Sequence, residues 1–264
     1  MENLKPKFHF QRFEFKYQVP QKVVAAIIPD LLKYMDVDPY AQQLPGNSYL
    51  VSSLYYDTIG LAAYYEKIDG LRVRKKLRLR FYGEELLSTT PVFLEIKRKY
   101  DAVVVKDRLA LDLQTCYAVL HGAMNIRASL APHLRETLDE FLWLQQVNCM
   151  MPQVLIQYWR RPFVSKIDPG VRVTIDTDIR ASRADWLGTT LQDPREVQPG
   201  WSILEIKYLN ILPAWFEQII RQYNLIYLPL SKYCSSQEMC QPQLTVLPKT
   251  MTDIYAPASI PSTY

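Results

Sequence analysis

Residues 72–82 have the sequence RVRKKLRLRFY, in which a basic residue occupies nearly every second position. Side chains along a β-strand alternate between the two faces of a sheet. One face of such a strand would carry Arg72, Arg74, Lys76, Arg78 and Arg80. The other face would be mostly apolar, with Leu77, Leu79 and Phe81. This alternation predicts a strand with one cationic face and one apolar face.

Five further segments divide in the same way. Their charged faces carry Glu14 and Lys16, Glu95 and Lys97, Lys106 and Arg108, Arg172 and Asp176, and Glu205 and Lys207. Like charges that lie directly opposite on neighbouring strands repel each other, which is tolerable if a polyanion fills the space between them. The pattern therefore predicts an antiparallel β-barrel whose basic interior binds a chain of phosphates and whose apolar outside is covered by helices. The alternative is a one-sided sheet whose charged face is solvated.

Eight segments rich in aromatic and β-branched residues are predicted strands. They span residues 8–17, 49–56, 71–82, 92–100, 102–111, 153–162, 171–179 and 202–208. Apolar residues at helical spacing predict helices at residues 22–34, 113–121, 132–147 and 213–223. Together these elements predict an α+β fold.

Composition restricts the kind of protein this can be. The 264 residues, 48% of them hydrophobic, are enough for one large domain, predicted at residues 1–240. Residues 241–264 contain four prolines and are predicted to form an irregular tail. The net charge of +4 is too small to indicate a polyanion partner by itself. With 8 glycines and no Gly-rich phosphate loop, side chains would have to bind any phosphate.

Cysteine and histidine usage gives no sign of a zinc site. The four cysteines form no CxxC pair and the three histidines are scattered. Reduced thiols in a cytoplasmic protein are the simplest expectation. The start of the chain lacks the apolar run of a signal peptide, and no segment approaches the length of a membrane span.

The glutamates on the charged faces need an explanation, because a carboxylate repels a phosphate chain. Leu94-Glu95-Ile96-Lys97 recurs as Leu204-Glu205-Ile206-Lys207, which suggests one barrel built of two similar halves. A hard cation such as Mg²⁺ or Mn²⁺ between acid and phosphate would remove the repulsion. The alternative is pairing with lysines of the same face, and for Glu14 both explanations stay open.

Several motifs then resemble a known family over residues 8–234. They are FEFKY at 13–17, SSLYYDT at 52–58, RKKLRLRFY at 74–82, FLEIK at 93–97, LEIK at 204–207 and SKY at 231–233. In this order they resemble the VTC domain, the polyphosphate polymerase domain of the vacuolar transporter chaperone complex, which is a branch of the triphosphate tunnel metalloenzymes. The resemblance implies a closed eight-stranded tunnel that transfers the terminal phosphate of a nucleoside triphosphate onto polyphosphate.

The resemblance also implies roles for individual residues. Phosphate clamps in the catalytic site would be Lys16, Arg78, Arg80, Lys97, Arg160, Arg172 and Lys232. Further phosphate contacts would come from Tyr158 and Ser231, together with the interior bases Lys106, Arg108 and Lys207. The carboxylate that binds Mn²⁺ or Mg²⁺ would be Glu205, and Glu95 and Glu14 are further candidates. Asp57 and its aromatic neighbours look structural, since only one of Tyr55 and Tyr56 can face the tunnel.

Two departures from the family pattern leave alternatives open. Many tunnel metalloenzymes begin with Glu-x-Glu-x-Lys, but Arg12 stands in place of the first Glu here. This difference weakens the hypothesis of a two-metal hydrolase. The chain also has neither the membrane helices nor the inositol-phosphate-sensing domain of the eukaryotic subunits, so a stand-alone domain is expected. An inorganic triphosphatase or nucleoside triphosphatase, or a non-catalytic polyphosphate-binding module, remains an alternative. Nucleic acid is not expected, because Phe13, Phe15 and Phe81 fall on the apolar face.

Overall fold

The structure is a computed structural model that describes residues 13–101, 103–123 and 125–246. Its strands are β1 Phe13–Pro20, β2 Met35–Val37, β3 Tyr49–Asp57, β4 Val73–Tyr82, β5 Pro91–Tyr100, β6 Val103–Asp112, β7 Met151–Ser165, β8 Arg172–Arg183, β9 Arg195–Glu196, β10 Trp201–Tyr208 and β11 Ile226–Tyr227. Its helices are α1 Gln21–Leu32, α2 Pro39–Gln42, α3 Ala62–Ile68, α4 Leu113–Leu120, α5 Asn125–Ser129, α6 Pro132–Val147, α7 Ala214–Gln222, α8 Lys232–Cys240 and α9 Gln243–Val246, and a short 3₁₀ turn spans Pro45–Asn47. No helix in the described part of the chain is long and apolar enough to cross a membrane.

Each predicted strand and helix corresponds to an observed element, with differences at the ends. The helix predicted at 132–147 matches α6, where Pro132 occupies a first-turn position that needs no backbone donor. Part of the strand predicted at 8–17, the position of Arg12 and residue 102 lie outside the described residues. So does most of the predicted tail, although its first residues include the short helix α9. The division into one domain at 1–240 and a tail stays a prediction.

The strands form one antiparallel sheet. Its hydrogen-bonded path runs β11-β1-β10-β8-β7-β3-β4-β5-β6, while β2 pairs with β7 and β9 pairs with β8. Among the described residues this path ends at β11 and β6 and does not close, and the sheet has 11 strands. The predicted closed eight-stranded barrel is therefore wrong in both respects. Alternation shows which face a side chain takes but not which strands are neighbours, and strands as short as β2, β9 and β11 have no readable period.

The open sheet nevertheless curves around its charged face. Glu14 on β1 lies 3.4 Å from the Nζ of Lys97 on β5 and 3.6 Å from the Nζ of Lys106 on β6. Because β1 and β6 lie near opposite ends of the hydrogen-bonded path, these ion pairs bring the two ends of the sheet together through side chains. The charged face is therefore concave and encloses space.

The convex face of the sheet is apolar and packs against helices. Leu77, Leu79 and Leu94 are fully buried with residues of α4 and α6, such as Phe141. Leu204 and Ile206 are buried with residues of α1 and α7. Burial of such a side chain is worth about 1.5–3 kcal/mol, so the sheet is held by two apolar layers. The predicted arrangement of apolar faces beneath helices is confirmed for these four helices.

Helix α8 is placed differently from the expectation that all helices lie outside. Its residues Tyr233 and Cys234 belong to a third apolar cluster, which includes Tyr55 and Ile156. Tyr55 is directly opposite Arg78 on the neighbouring strand, so this cluster lies on the charged, concave face. The start of α8 therefore points into the space that the sheet encloses.

Candidate anion-binding site

The concave face surrounds a cavity of about 270 Å³, here called the basic cavity. Twelve lysines and arginines line it, against only two acids, Glu14 and Glu205. An adjoining second cavity of about 400 Å³ shares Glu14, Lys106, Arg160 and Lys207 with the first and adds Arg172. Arg80 and Glu205 are each only 5% exposed. The middle of the charged face is therefore buried, which contradicts a wholly solvated face, whereas Arg172, Lys106 and Arg108 towards its edges are more exposed.

Nearly all residues predicted for the site meet at these two cavities. The basic cavity is lined by Glu14, Lys16, Arg78, Arg80, Lys97, Lys106, Tyr158, Arg160, Glu205, Lys207, Ser231 and Lys232. Arg172 lines the second cavity. Glu95 and Arg108 line neither of them. The structure thus assembles these residues from seven strands and the start of α8, while the role of each residue stays a prediction.

Like charges lie directly opposite one another along the wall of the basic cavity. Arg74 on β4 is the cross-strand partner of Lys99 on β5, and Lys76 is the partner of Lys97. Lys97 in turn is opposite Lys106 on β6. Directly opposed like charges destabilise a sheet. A polyanion bound in the cavity would relieve this repulsion.

The protonation of these lysines reflects the same repulsion. Burial, with help from Lys16 and Arg78, lowers the pKa of Lys97 to about 8, although the Glu14 carboxylate acts in the opposite direction. Burial and the neighbouring Lys97 lower the pKa of Lys106 well below its usual range. An anion in the cavity would raise the pKa of both lysines.

The two central arginines are held in place by neutral and acidic partners. Arg78 donates through Nη1 to the hydroxyl of Tyr55 at 2.8 Å, and its guanidinium also binds Glu95. Arg80 donates through Nε to Ser53 at 2.9 Å and through Nη2 to the hydroxyl of Tyr158 at 3.2 Å. Guanidinium groups held in this way present paired N–H donors whose geometry suits phosphate oxygens.

Asp176 organises a second pair of cations and was not predicted as a site residue. Its carboxylate, which is fully buried, accepts two hydrogen bonds from Arg160 at 2.7 and 2.8 Å. The Nζ of Lys232 lies 2.6 Å from the same carboxylate. Burial raises the pKa of Asp176, but Arg160 and Lys232 outweigh it and hold the pKa at about 2. The sequence feature that could have identified Asp176 is its position as an acid on the charged face of a predicted strand.

The two copies of Leu-Glu-Ile-Lys differ in what surrounds the glutamate. Glu95 lies opposite Arg78 on one side and Arg108 on the other, and each of its oxygens binds one of these arginines. Glu205 lies opposite Thr174 and Lys16. The first glutamate is therefore enclosed by guanidinium groups, whereas the second faces the cavity.

Glu14 and Glu205 form the carboxylate pair that could hold a metal ion. They lie on the same face of the adjacent strands β1 and β10. Burial and the Glu205 charge raise the pKa of Glu14, but Lys97, Lys16 and Lys106 outweigh them and lower it. Burial raises the pKa of Glu205, and Lys207 and Lys16 lower it well below its usual range. Two ionised carboxylates side by side offer the oxygen ligands that Mg²⁺ or Mn²⁺ prefers.

A third oxygen supports this assignment. Thr174 is the cross-strand partner of Glu205 and lines the second cavity. Its hydroxyl is buried without a hydrogen-bond partner among the described residues. Groups of three or more acids, histidines or cysteines with metal-binding geometry are not found in the described part of the chain. The protein oxygens offered to a metal ion here would thus be those of two carboxylates and the Thr174 hydroxyl.

Other cavity residues were not predicted for the site. Lys67 at the end of α3 and Lys76, Arg74 and Lys99 line the basic cavity. Only Tyr55 of the adjacent pair Tyr55 and Tyr56 lines it, because Tyr56 is buried in the apolar cluster beneath α6. Alternation already identified the strand lysines as facing inward, but nothing local indicates that α3 brings Lys67 to the same space.

A solved structure resembles the fold of this chain. A Bacillus halodurans protein provisionally named an adenylate cyclase has a similar crystal structure, with a TM-score of 0.50, 13% identity and coverage of 84% of this chain and 94% of that one. At that identity the likeness shows a shared fold alone.

Two curated relatives are named vacuolar transporter chaperone complex subunit 4. The proteins of Trypanosoma cruzi and Trypanosoma brucei brucei are each 26% identical over 267 aligned positions. Each alignment covers 85% of this chain but only 33% and 34% of the relative, so the chain spans about a third of their length. The model of the VTC domain matches residues 11–240. The resemblance of the motifs is confirmed, and the chain belongs to the VTC domain family.

Proposed function

We propose that this protein is a metal-dependent polyphosphate polymerase, which transfers the terminal phosphate of a nucleoside triphosphate such as ATP onto polyphosphate. Membership of the VTC domain family supports the proposal. Nucleoside triphosphate and polyphosphate are the proposed partners, and protein partners are left open. A cytoplasmic location stays a prediction.

The number and arrangement of cations in the basic cavity carry the proposal. Twelve basic side chains against two acids exceed the charge of one triphosphate. The cations also extend from Lys99 and Arg74 at one end to Arg172 in the adjoining cavity. An extended chain of phosphates could contact both groups, which favours polyphosphate over a single small anion.

Phosphoryl transfer depends on positioning and on neutralisation of charge more than on a protein nucleophile. Arg78 and Arg80 present guanidinium groups fixed by Tyr55, Ser53 and Tyr158. Preorganised donors of this kind stabilise the developing charge on the transferred phosphate. Arg160 and Lys232, both anchored by Asp176, would hold a second phosphate of the same chain.

A divalent metal fits the carboxylate pair described above. Glu14 and Glu205 would hold Mn²⁺ or Mg²⁺, which when bound would neutralise phosphate charge and allow these acids to lie beside a polyanion. Glu95 is not among the proposed ligands, because arginines bind both of its oxygens and it lines neither cavity. Glu14 and Glu205 are also ion-paired, but with lysines, and both line the basic cavity. In this proposal Glu95 positions Arg78 instead.

A triphosphatase and a non-catalytic binding module remain the alternatives. A nucleic-acid module is disfavoured, because Leu77, Leu79 and Phe81 are buried beneath helices. Tyr55 and Tyr158 line the cavity but are only 8% and 2% exposed, which leaves little ring surface on which a base could stack.

Incubation with labelled ATP and Mn²⁺ tests the proposal. Long labelled polyphosphate is the expected product. Free phosphate alone would show a triphosphatase, and unchanged ATP would show a binding module. Either of these two results would contradict the polymerase.

The variant Glu205→Gln tests the metal assignment, since it keeps the shape and removes the charge. We expect phosphate transfer to fall by orders of magnitude, while binding of tripolyphosphate in chelator holds or tightens because repulsion is relieved. Glu217→Gln is the matched control, since Glu217 lies on α7 with its side chain 50% exposed. Full metal-dependent activity of Glu205→Gln would show that the assignment is wrong.

A further inference from the structure

Tyr55 occupies the centre of the cationic wall, although the motif that contains it looks structural by sequence. It lies on β3 directly opposite Arg78 on β4 and lines the basic cavity. Its hydroxyl oxygen accepts a hydrogen bond from Arg78 Nη1 at 2.8 Å. Among the hydrogen bonds of the described residues, none has this hydroxyl as a donor. The Tyr55 oxygen therefore acts as an acceptor facing a guanidinium group.

The charged groups around Tyr55 are almost all cations. From β1, β4 and α8, those that act on it are Lys16, Lys76, Arg78, Arg80 and Lys232. On the β7 side its cross-strand partner is the apolar Val154. The ring of Tyr233 lies 5.2 Å away, and its hydroxyl is bound to Asp57. Glu95 is the acid on the far side of Arg78.

These surroundings favour the charged form of the phenol. Burial raises the pKa of Tyr55, but Arg78 and Arg80 outweigh it and lower the pKa to about 7. Above about pH 7 the phenolate, in contact with Arg78, would therefore be the major form before an anion binds. The phenolate oxygen accepts a hydrogen bond from an Arg78 N–H that could otherwise donate to a phosphate oxygen.

We propose that Tyr55 is a positioning residue for Arg78 and that its phenolate takes up one proton when polyphosphate enters the cavity. This inference rests on the proposed function. The incoming anion neutralises the surrounding cations, so the neutral phenol becomes the favoured form. A proton from solvent forms the O–H bond of Tyr55, and the buffer loses that proton. The Arg78 donor is thereby freed for phosphate.

The sign of the resulting pH dependence follows from this exchange. Below about pH 7 the phenol is already neutral in the empty cavity, and binding takes up no proton at Tyr55. Above about pH 7 the phenolate must first be protonated, so affinity falls by up to about tenfold for each pH unit. Lys97 and Lys106, whose pKa values are also lowered, add a similar slope that does not depend on Tyr55.

The test compares the parent protein with Tyr55→Phe and Tyr56→Phe. Tyr56 is the adjacent residue, buried on the opposite face of the strand beside Phe141, and serves as the control. Tripolyphosphate is titrated in chelator from about pH 6 to about pH 9, with calorimetry for affinity and ultraviolet absorbance for the phenolate band. The parent and Tyr56→Phe should lose phenolate absorbance on binding, and Tyr55→Phe should not.

Affinity gives the second readout. The ratio of affinities, Tyr55→Phe over parent, should rise about tenfold per unit above pH 7, because the variant has no phenolate to displace. Equal slopes for the two proteins, or a parent without phenolate absorbance, would overturn the inference. If Tyr55→Phe fails to fold, the absorbance change on binding in the parent and in Tyr56→Phe still tests the inference. A parent that does not bind tripolyphosphate at about pH 6 would instead contradict the proposed function.

Discussion

Replacing Asp176 with asparagine should lower the melting temperature of the unliganded protein by about 6–20 °C. Asp176 is fully buried and is the shared partner of Arg160 and Lys232. Asparagine keeps the shape but leaves both buried cations without their counter-charge. Removing one partner of a buried ion pair costs about 3–5 kcal/mol. For a domain of this size each kcal/mol corresponds to about 2–4 °C.

The control for this variant lies on the same strand. Asp178 pairs with Arg180 at 2.9 Å, but both side chains are exposed, and such pairs are worth about 0–1 kcal/mol. Its φ of 48° suits asparagine as well as aspartate. Asp178→Asn should therefore change the melting temperature by less than about 4 °C.

The assay is thermal unfolding followed by circular dichroism, with and without tripolyphosphate. Asp176→Asn should gain more from tripolyphosphate than the parent does, because the ligand supplies the missing negative charge to Arg160 and Lys232. An Asp176→Asn protein that melts within about 2 °C of the parent would refute the reasoning. So would a variant that tripolyphosphate stabilises less than the parent.

Three further predictions concern the same charges. Pyrophosphate, tripolyphosphate and longer chains should raise the melting temperature in increasing order, and high salt should reduce each shift; equal shifts would contradict an extended site. Lys99→Gln should stabilise the unliganded protein by about 0.2–1 kcal/mol in denaturant titration, since it removes a like charge opposite Arg74, whereas Lys75→Gln should not, because Lys75 pairs with Glu140 and the Arg98 opposite it is neutralised by Glu140 and Asp107. The folded-state pKa of Asp176 is lowered to about 2, so the stability that it confers should be present above about pH 4 and lost as pH falls towards about pH 2; the pKa of Glu205 is also lowered, so its contribution should be lost in the same direction, and acid unfolding monitored by fluorescence can check both.

Local patterns predicted much of the architecture. The two-residue alternation placed Leu77 and Leu79 on one face and Arg78 and Arg80 on the other, and the structure buries the first pair beneath helices while the second lines the cavity. These predictions of strand faces are correct because the face that a side chain takes depends only on its position along the strand. Helix α8 was missed, although Ser231 caps it by accepting from the Cys234 N–H at 3.3 Å, because its residues show little helical periodicity.

Identical local sequence led to different environments. Leu-Glu-Ile-Lys occurs twice, yet Glu95 is bound by two arginines and Glu205 faces the cavity beside Glu14. The difference comes from the cross-strand partners, which are Arg78 and Arg108 in one case and Thr174 and Lys16 in the other. Strand register decides these partners, and register joins residues far apart in the chain.

The sequence by itself determined that the chain forms long strands with one basic and one apolar face, and it predicted which residues of the basic faces would lie together. Only the tertiary structure decided that the sheet stays open, that Glu14 joins its two ends, and that Asp176 holds Arg160 and Lys232 together. The physical reason is the different sequence separation over which these effects act. Alternation acts between neighbours in the chain, whereas sheet closure, register and ion pairing depend on how separate strands meet in space.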